Sequence, residues 1–174
     1  MDSQVGQEWA GADEHGRPSA AHALLRHLRE AFASSGMPGA LAYLNGRTRF
    51  RFTGVYRAEP PLLRNLCLYD RENPRVLSRG EVTELESTFC SVVCGTAAAF
   101  ATSDAARDQR TRRHPAGERF LSYVGVPIRE PGGRVWGTLC HFDPRPRLVP
   151  PGEVAALESV SPLIGAWLRE REPL

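Results

Sequence analysis

Apolar residues recur at helical spacing near the start of the chain. Ser19 is placed to cap a helix whose apolar side chains fall on one face: Leu24, Leu25, Leu28 and Phe32. Gly36 ends this helix, and Pro38 begins a shorter one. Asn45 and Gly46 follow a segment that suits a helix, so we interpret them as a helix exit rather than a hairpin turn.

A second helical pattern occupies residues 150–172, where two prolines precede the periodic segment. Its apolar positions lie near helical spacing: Val154, Leu157, Val160, Ile164 and Trp167. Pro162 lies inside this helix, and a proline has no amide hydrogen to donate to the preceding turn. We therefore expect the helix to bend at Pro162 or to divide into two.

Alternation of apolar and polar residues predicts five strands between these helices. They lie within residues 49–57, 62–70, 97–104, 119–130 and 134–143. A Pro-Gly-Gly turn joins the last two, which predicts an antiparallel hairpin.

Two further short helices are expected among the strands. Residues 87–96 read as one, capped by Ser87 or Thr88 and ended by Gly95. Residues 105–114 read as a polar, arginine-rich helix capped by Asp104.

The order of these elements does not show the regular strand–helix alternation of a doubly wound parallel sheet. It predicts an α+β fold, in which helices cover an antiparallel sheet. A length of 174 residues suits one domain. We place that domain at residues 19–172 and expect residues 1–18, which are polar with little periodicity, to be a flexible tail.

Composition excludes several classes of function. All 22 basic residues are arginine, so the chain offers no lysine for a Schiff base or a phosphate-binding loop. The net charge of +2 gives no reason to expect nucleic-acid or membrane binding, and the arginines of residues 107–113 read as a solvated surface. No stretch has the length of a membrane span or the pattern of a signal peptide, so we expect a cytoplasmic protein with reduced cysteines.

Cys140 and His141 form the most conspicuous candidate for chemistry. They lie in a segment with strand alternation, and adjacent side chains of a strand point to opposite faces. The thiol and the imidazole therefore diverge and do not form a nucleophile–base pair.

Cys90 and Cys94 are four residues apart on a predicted helix and so share one face. With Cys140 and a histidine they would make a zinc set only from poorly spaced ligands, so no metal site is expected. Redox sensing through Cys90 or Cys140 stays open, because a reactive thiol requires an accessible, electropositive setting that sequence does not reveal.

The segments STFCSVV, FATSDAARDQR and SYVGVPIREPGGRVWGTLCHFDPRPR together resemble a GAF domain. The similarity extends over about residues 20–170. It implies a central antiparallel sheet of five or six strands, a PAS-like fold. It also implies N- and C-terminal helices that share one face and commonly form a dimer. On the other face it implies a ligand pocket lined by Phe89, Cys90, Val93, Phe100, Asp104, Arg119, Tyr123 and Cys140.

The resemblance does not extend to several specialised GAF groups. Bilin-binding members carry Cys-His on a helix, whereas this Cys-His lies on a late strand, and the lysine-containing cyclic-nucleotide signature is absent. Cys94 lies in VVCGTAA, which is similar to the Gly-Val-Cys-Gly context of free methionine sulfoxide reductases, although other elements of that family do not follow.

We therefore expect a non-enzymatic sensory or regulatory domain without a cofactor. It would bind an unidentified small molecule or respond to redox state. It would then signal through its terminal helices as a homodimer or to a signalling partner. The alternatives are a thiol-dependent methionine sulfoxide reductase and an interaction module without a ligand.

Overall fold

The computed structural model describes residues 19–171, so the tail expected at 1–18 and the end of the domain at 172 lie outside the described residues. Within that range the chain forms three α-helices and six strands. In chain order they are α1 (Ala20–Gly46), β1 (Phe52–Glu59), β2 (Leu62–Asp70), β3 (Val82–Glu84), α2 (Cys90–Thr96), β4 (Phe100–Thr102), β5 (Ser122–Arg129), β6 (Val135–Asp143) and α3 (Glu153–Arg171).

The strands make one antiparallel sheet in the order β3-β2-β1-β6-β5-β4. This confirms the predicted α+β fold. Strand β6 lies at the centre of the sheet and is hydrogen-bonded to β1 on one side and to β5 on the other. The central position fixes β6 more firmly than the short edge strands β3 and β4.

Helices α1 and α3 pack together on one face of the sheet, as expected. Their apolar stripes meet sheet residues in one core that includes Leu28, Leu41, Leu139 and Ile164, all fully buried. The backbone of α1 leaves helical geometry at Gly36, which has a φ of 62°, and the helix ends at Gly46. The break at Gly36 and the exit after Asn45 both agree with the sequence pattern.

The expected division at Pro162 does not occur, because α3 runs unbroken through it. A proline in a helix leaves the carbonyl four residues earlier without its amide donor. Here that carbonyl belongs to Glu158, and the Ser161 hydroxyl donates to it at 3.4 Å. Pro162 itself is exposed.

The arginine-rich helix predicted over residues 105–114 is wrong, because turns occupy this segment. Two aspartate side chains accept hydrogen bonds from backbone amides, which in a helix would donate to backbone carbonyls. Asp104 accepts from the Ala106 amide at 3.1 Å, and Asp108 accepts from the Arg110 amide at 2.9 Å. The Arg110 side chain then binds Asp108 and the carbonyl of Ala101.

The predicted caps of α2 are also wrong. The Thr88 hydroxyl donates to the Leu85 carbonyl at 2.8 Å instead of accepting from α2. Gly95 lies inside the helix, and Ala97 takes the left-handed terminal position with a φ of 52°.

A β-bulge at Leu66 sets which residues of β2 face each side of the sheet. Val55 pairs with Cys67 and Tyr56 pairs with Asn65, so Leu66 is the extra residue. Strict alternation would keep Asn65 and Cys67 on one face. The bulge instead places Asn65 on the face away from α1 and α3, while Cys67 joins the core beneath these helices.

Candidate functional site

A cavity of about 460 Å³ lies on the face of the sheet opposite to α1 and α3. Its floor comes from β1, β2 and β6, and its walls come from β3, the start of α2 and the segments around Ser78 and Phe120. This volume falls in the range of small-molecule sites.

Five of the eight residues that the sequence resemblance assigned to a pocket line this cavity. They are Phe89, Cys90, Arg119, Tyr123 and Cys140. Phe89 and Tyr123 are buried aromatic neighbours with ring centres 5.5 Å apart. Arg119 is exposed at the rim, where its guanidinium lies 5.4 Å from the centre of the Phe120 ring.

The other three residues lie outside the cavity lining. Val93 is fully buried in the core around α2, and Phe100 packs beside Phe89 and Tyr123, with ring centres 6.1 Å from each. Asp104 begins the turn of residues 104–108 and accepts a backbone hydrogen bond there. Val93 and Phe100 therefore pack behind the residues that form the cavity wall, and Asp104 stabilises a local turn of the backbone.

Most of the aromatic surface of the cavity was not singled out by the sequence. Phe142 is central to it, with ring centres 5.0 Å from Phe52 and 4.8 Å from Phe120, and Tyr56 lies beside it at 6.3 Å. The alternation of β6 places Phe142 on the same face as Cys140. The strand pattern alone could therefore have identified Phe142 as a lining residue of the cavity.

Polar groups gather at the β2–β3 end of the cavity. Buried Asn65 donates from its amide nitrogen to Glu81 Oε2 at 2.8 Å, and the Ser78 hydroxyl donates to Glu81 Oε1 at 2.6 Å. These hydrogen bonds, above all the one from Ser78, lower the pKa of Glu81, so Glu81 is a carboxylate at neutral pH. The side-chain oxygen Oδ1 of Asn65 has no hydrogen-bond partner among the described residues.

Two thiols, those of Cys90 and Cys140, meet at the floor of the cavity. The Cys90 sulfur accepts hydrogen bonds from Thr138 Oγ1 at 3.1 Å and from the Tyr123 hydroxyl at 3.4 Å. Hydrogen bonding from Cys140, followed by these two donors, lowers the pKa of Cys90 to about 7 against the opposing effect of burial. Burial and the adjacent Cys90 raise the pKa of Cys140 well above its ordinary value.

The other two cysteines have no place in the cavity lining. Cys94 is half-buried on α2, and burial raises its pKa to about 11. Cys67 lies in the core beneath α1, where burial also raises its pKa. None of the four cysteines, all of which lie within residues 19–171, forms a disulfide bond. Among residues 19–171, no cluster of three or more His, Cys, Asp or Glu side chains is arranged to hold a metal ion.

His141 points away from the cavity, which confirms that it diverges from Cys140. It is fully buried, and its Nδ1 lies 2.7 Å from Thr53 Oγ1 while its Nε2 lies 3.2 Å from Glu153 Oε1. A neutral imidazole has one N–H and a carboxylate only accepts, so Nε2–H donates to Glu153 and Nδ1 accepts from the Thr53 hydroxyl, which itself accepts from Asn45 at 2.9 Å. The network joins the sheet to the end of α1 and the first residue of α3.

A family model described as GAF domain matches residues 18–167. No curated protein matches the sequence significantly. In the described part of the chain, no helix is both long enough and apolar enough to cross a bilayer.

Solved structures with the same fold are distant in sequence. The GAF domain of an Acinetobacter phosphoenolpyruvate-protein phosphotransferase has 14% identity and a TM-score of 0.66, covering 85% of this chain and 92% of its own. Free methionine-R-sulfoxide reductase from Neisseria meningitidis, solved with its substrate, has 12% identity and a TM-score of 0.65, covering 94% and 95%. A phycocyanobilin-bound GAF domain from a cyanobacterial phytochrome has 15% identity and a TM-score of 0.61, covering 87% and 97%.

Proposed function

Because the chain belongs to the GAF domain family, we propose that it is a non-enzymatic sensory domain that binds a small molecule in the cavity above β1, β2 and β6. The observation that carries the proposal is the division of the fold. One face of the sheet holds a cavity of about 460 Å³, and the opposite face is filled by α1 and α3. Sensing and output thus have separate surfaces.

The lining indicates a ligand that is mainly apolar or aromatic. Phe52, Phe120 and Phe142 offer ring faces and edges, and such rings pack well against flat apolar groups. Glu81 and Arg119 supply one negative and one positive charge at the margin, which would orient polar groups of the ligand. We propose that occupation of the cavity changes the position of β6 and, through it, of α3.

The output surface in this proposal is the α1–α3 layer, acting in a homodimer or on a signalling partner. Phe32 and Trp167 stack with ring centres 5.3 Å apart across the two helices and remain half-buried. Leu25 and Leu163 are also half-buried apolar residues of this layer. A second copy of the chain would cover these groups.

A blocked cavity tests ligand binding directly. Val82 is 43% exposed on the edge strand β3 and lines the cavity, so Val82→Trp would fill the entrance without removing a core contact. Val76→Trp is the matched control, because Val76 is 63% exposed and lies outside the lining. The assay combines native mass spectrometry of freshly purified protein with thermal shift across a metabolite panel.

We expect wild type and Val76→Trp to retain or bind a ligand and Val82→Trp to lose it. A bare mass and no thermal shift with any compound would refute the proposal and favour an interaction module. Equal binding by both variants would move the site away from this cavity.

The methionine sulfoxide reductase alternative depends on Cys94. This thiol lies outside the cavity lining, and its raised pKa of about 11 leaves it protonated at neutral pH. We expect no sulfoxide reduction above background. Turnover that is lost in Cys94→Ser would establish the enzyme instead.

A further inference from the structure

The Cys90–Cys140 pair has features that packing alone does not explain. Buried free cysteines usually act as small apolar residues, and their sulfur is only a weak acceptor of hydrogen bonds. The Cys90 sulfur accepts two, from Thr138 at 3.1 Å and from Tyr123 at 3.4 Å. Two hydroxyl donors on one buried sulfur, with the Cys140 thiol beside them, are an arrangement suited to a thiolate.

The two thiols also belong to different elements. Cys90 opens α2, whereas Cys140 lies in the central strand β6, two residues from Thr138 on the same face. Both line the cavity, which is wide enough to admit a solute close to water in size. A bond between them would fasten α2 to the floor of the cavity.

We propose that Cys90 and Cys140 form a peroxide-responsive pair, in which Cys90 attacks hydrogen peroxide and Cys140 resolves the product as a disulfide. The inference goes beyond the proposed function, because it needs no bound ligand and no turnover.

The chemistry balances with peroxide as the oxidant. The Cys90 thiolate attacks one peroxide oxygen, the O–O bond breaks, and the leaving hydroxide takes a proton to become water. Cys90 is then a sulfenic acid. The Cys140 sulfur attacks the Cys90 sulfur, the S–O bond breaks, and the leaving hydroxide takes the Cys140 proton. Two thiols and one peroxide give one disulfide and two waters.

The environment separates the two roles. Tyr123 is fully enclosed and stays protonated, since burial raises its pKa, so it remains a donor to Cys90. Cys140 keeps its proton, and its thiol lies 3.9 Å from the Gly54 carbonyl. Cys90 is therefore the attacking sulfur and Cys140 the resolving one.

Absence of lysine makes the test clean, because trypsin cleaves this chain only after arginine. The tryptic peptide 80–107 contains both Cys90 and Cys94. The disulfide is therefore mapped in the Cys94→Ser variant, in which Cys90 is the one cysteine of that peptide. Reduced protein is titrated with hydrogen peroxide, alkylated and digested. We expect peptide 80–107 to be linked to peptide 135–147, with Cys67 fully alkylated. In Cys140→Ser, Cys90 should instead accumulate as a sulfenic acid that dimedone labels.

Thr138→Val keeps both thiols and removes one donor. We expect about fivefold slower oxidation at pH 7, the factor that one hydrogen bond of typical net strength supplies. Its pH–rate midpoint should also lie above that of wild type. Thr102→Val is the matched control, because the Thr102 side chain is buried and lies outside the cavity lining.

Three results would overturn the proposal. The first is wild-type protein in which Cys94 or Cys67 is oxidised before Cys90. The second is a disulfide between chains in place of the internal one. The third is an unchanged rate in Thr138→Val.

Discussion

Replacement of the buried imidazole of His141 should remove a specific part of the acid sensitivity of the fold. The change is His141→Gln, which deletes the titrating ring and keeps a side chain able to donate to Glu153. In the native protein the pKa of His141 is lowered, mainly by burial and against the favourable effect of Glu153, while Arg47 and Arg71 add to the lowering. The neutral ring also fits its bonds, because Nδ1 must be unprotonated to accept from Thr53.

The size of the effect follows from this difference between the folded and unfolded chains. As the pH falls through about 6.5, the unfolded chain takes up a proton at residue 141 and the native chain does not. The contribution of His141 to stability is therefore present above about pH 7.5 and is lost below it. One histidine supplies at most about 1.4 kcal/mol of loss between about pH 7.5 and 5.5.

Urea unfolding at a series of pH values measures this directly. We expect His141→Gln to be less stable than wild type at neutral pH by about 2 kcal/mol, because buried hydrogen bonds are broken. Its stability should nevertheless vary less between pH 7.5 and 5.5. Carboxylates titrate at lower pH: the pKa of Asp70, for example, is lowered to about 2, mainly by Arg51. Their contribution to stability is lost mainly below about pH 5, so it does not affect the range between about pH 7.5 and 5.5.

A histidine on α1 and the half-buried His114 provide the controls. The His27 ring hydrogen-bonds Arg26 and Tyr43 and no member of the Glu153 network, so His27→Gln should leave the contribution of His141 to the slope in place. Burial also lowers the pKa of His114, so the slope that remains in His141→Gln should disappear in the double variant with His114→Gln. A wild-type slope in His141→Gln would refute the reasoning, since the acid sensitivity would then come from other groups.

Two further changes test the packing of the sheet and the use of the helix layer. Gly137→Ala would place a methyl carbon 2.0 Å from the Tyr56 carbonyl oxygen on β1, so we expect a loss of more than about 3 kcal/mol in the free energy of unfolding. Gly46→Ala is the control, because the added methyl group would have nothing within 4 Å and should be tolerated. Leu163→Glu should convert a homodimer to monomer by light scattering, whereas Ala155→Glu, exposed on the same helix, should leave it intact; a monomeric wild type would refute that interface.

The sequence predicted the order of the longer elements, because periodicity follows burial directly. It missed the edge strand β3, whose three residues are too few to show a period. It predicted β6 and its two faces, which separated Cys140 from His141 correctly. It misassigned residues 105–114, because carboxylate–backbone bonds at Asp104 and Asp108 compete with helix formation.

The cavity was only partly predictable. The family resemblance supplied five of its lining residues, but Asn65 and Glu81 were missed. Asn65 lines the cavity with Leu63, whereas the bulge at Leu66 moves Cys67 to the opposite face, and no residue type in LLRNLCLYD marks a bulge. Glu81 ends an irregular connection with no periodicity, so its approach to Asn65 depends on tertiary structure alone.

Strand β6 links the cavity on one face of the sheet to the helix layer on the other face through two adjacent residues. Cys140 touches the cavity and His141 holds the first residue of α3, yet they are consecutive. Hydrogen bonds to β1 and β5 hold the strand along both of its edges. In the proposed sensory role, a ligand that displaced Cys140 would displace His141 through the backbone of β6 itself, so no relay of side chains between the cavity and α3 would be needed.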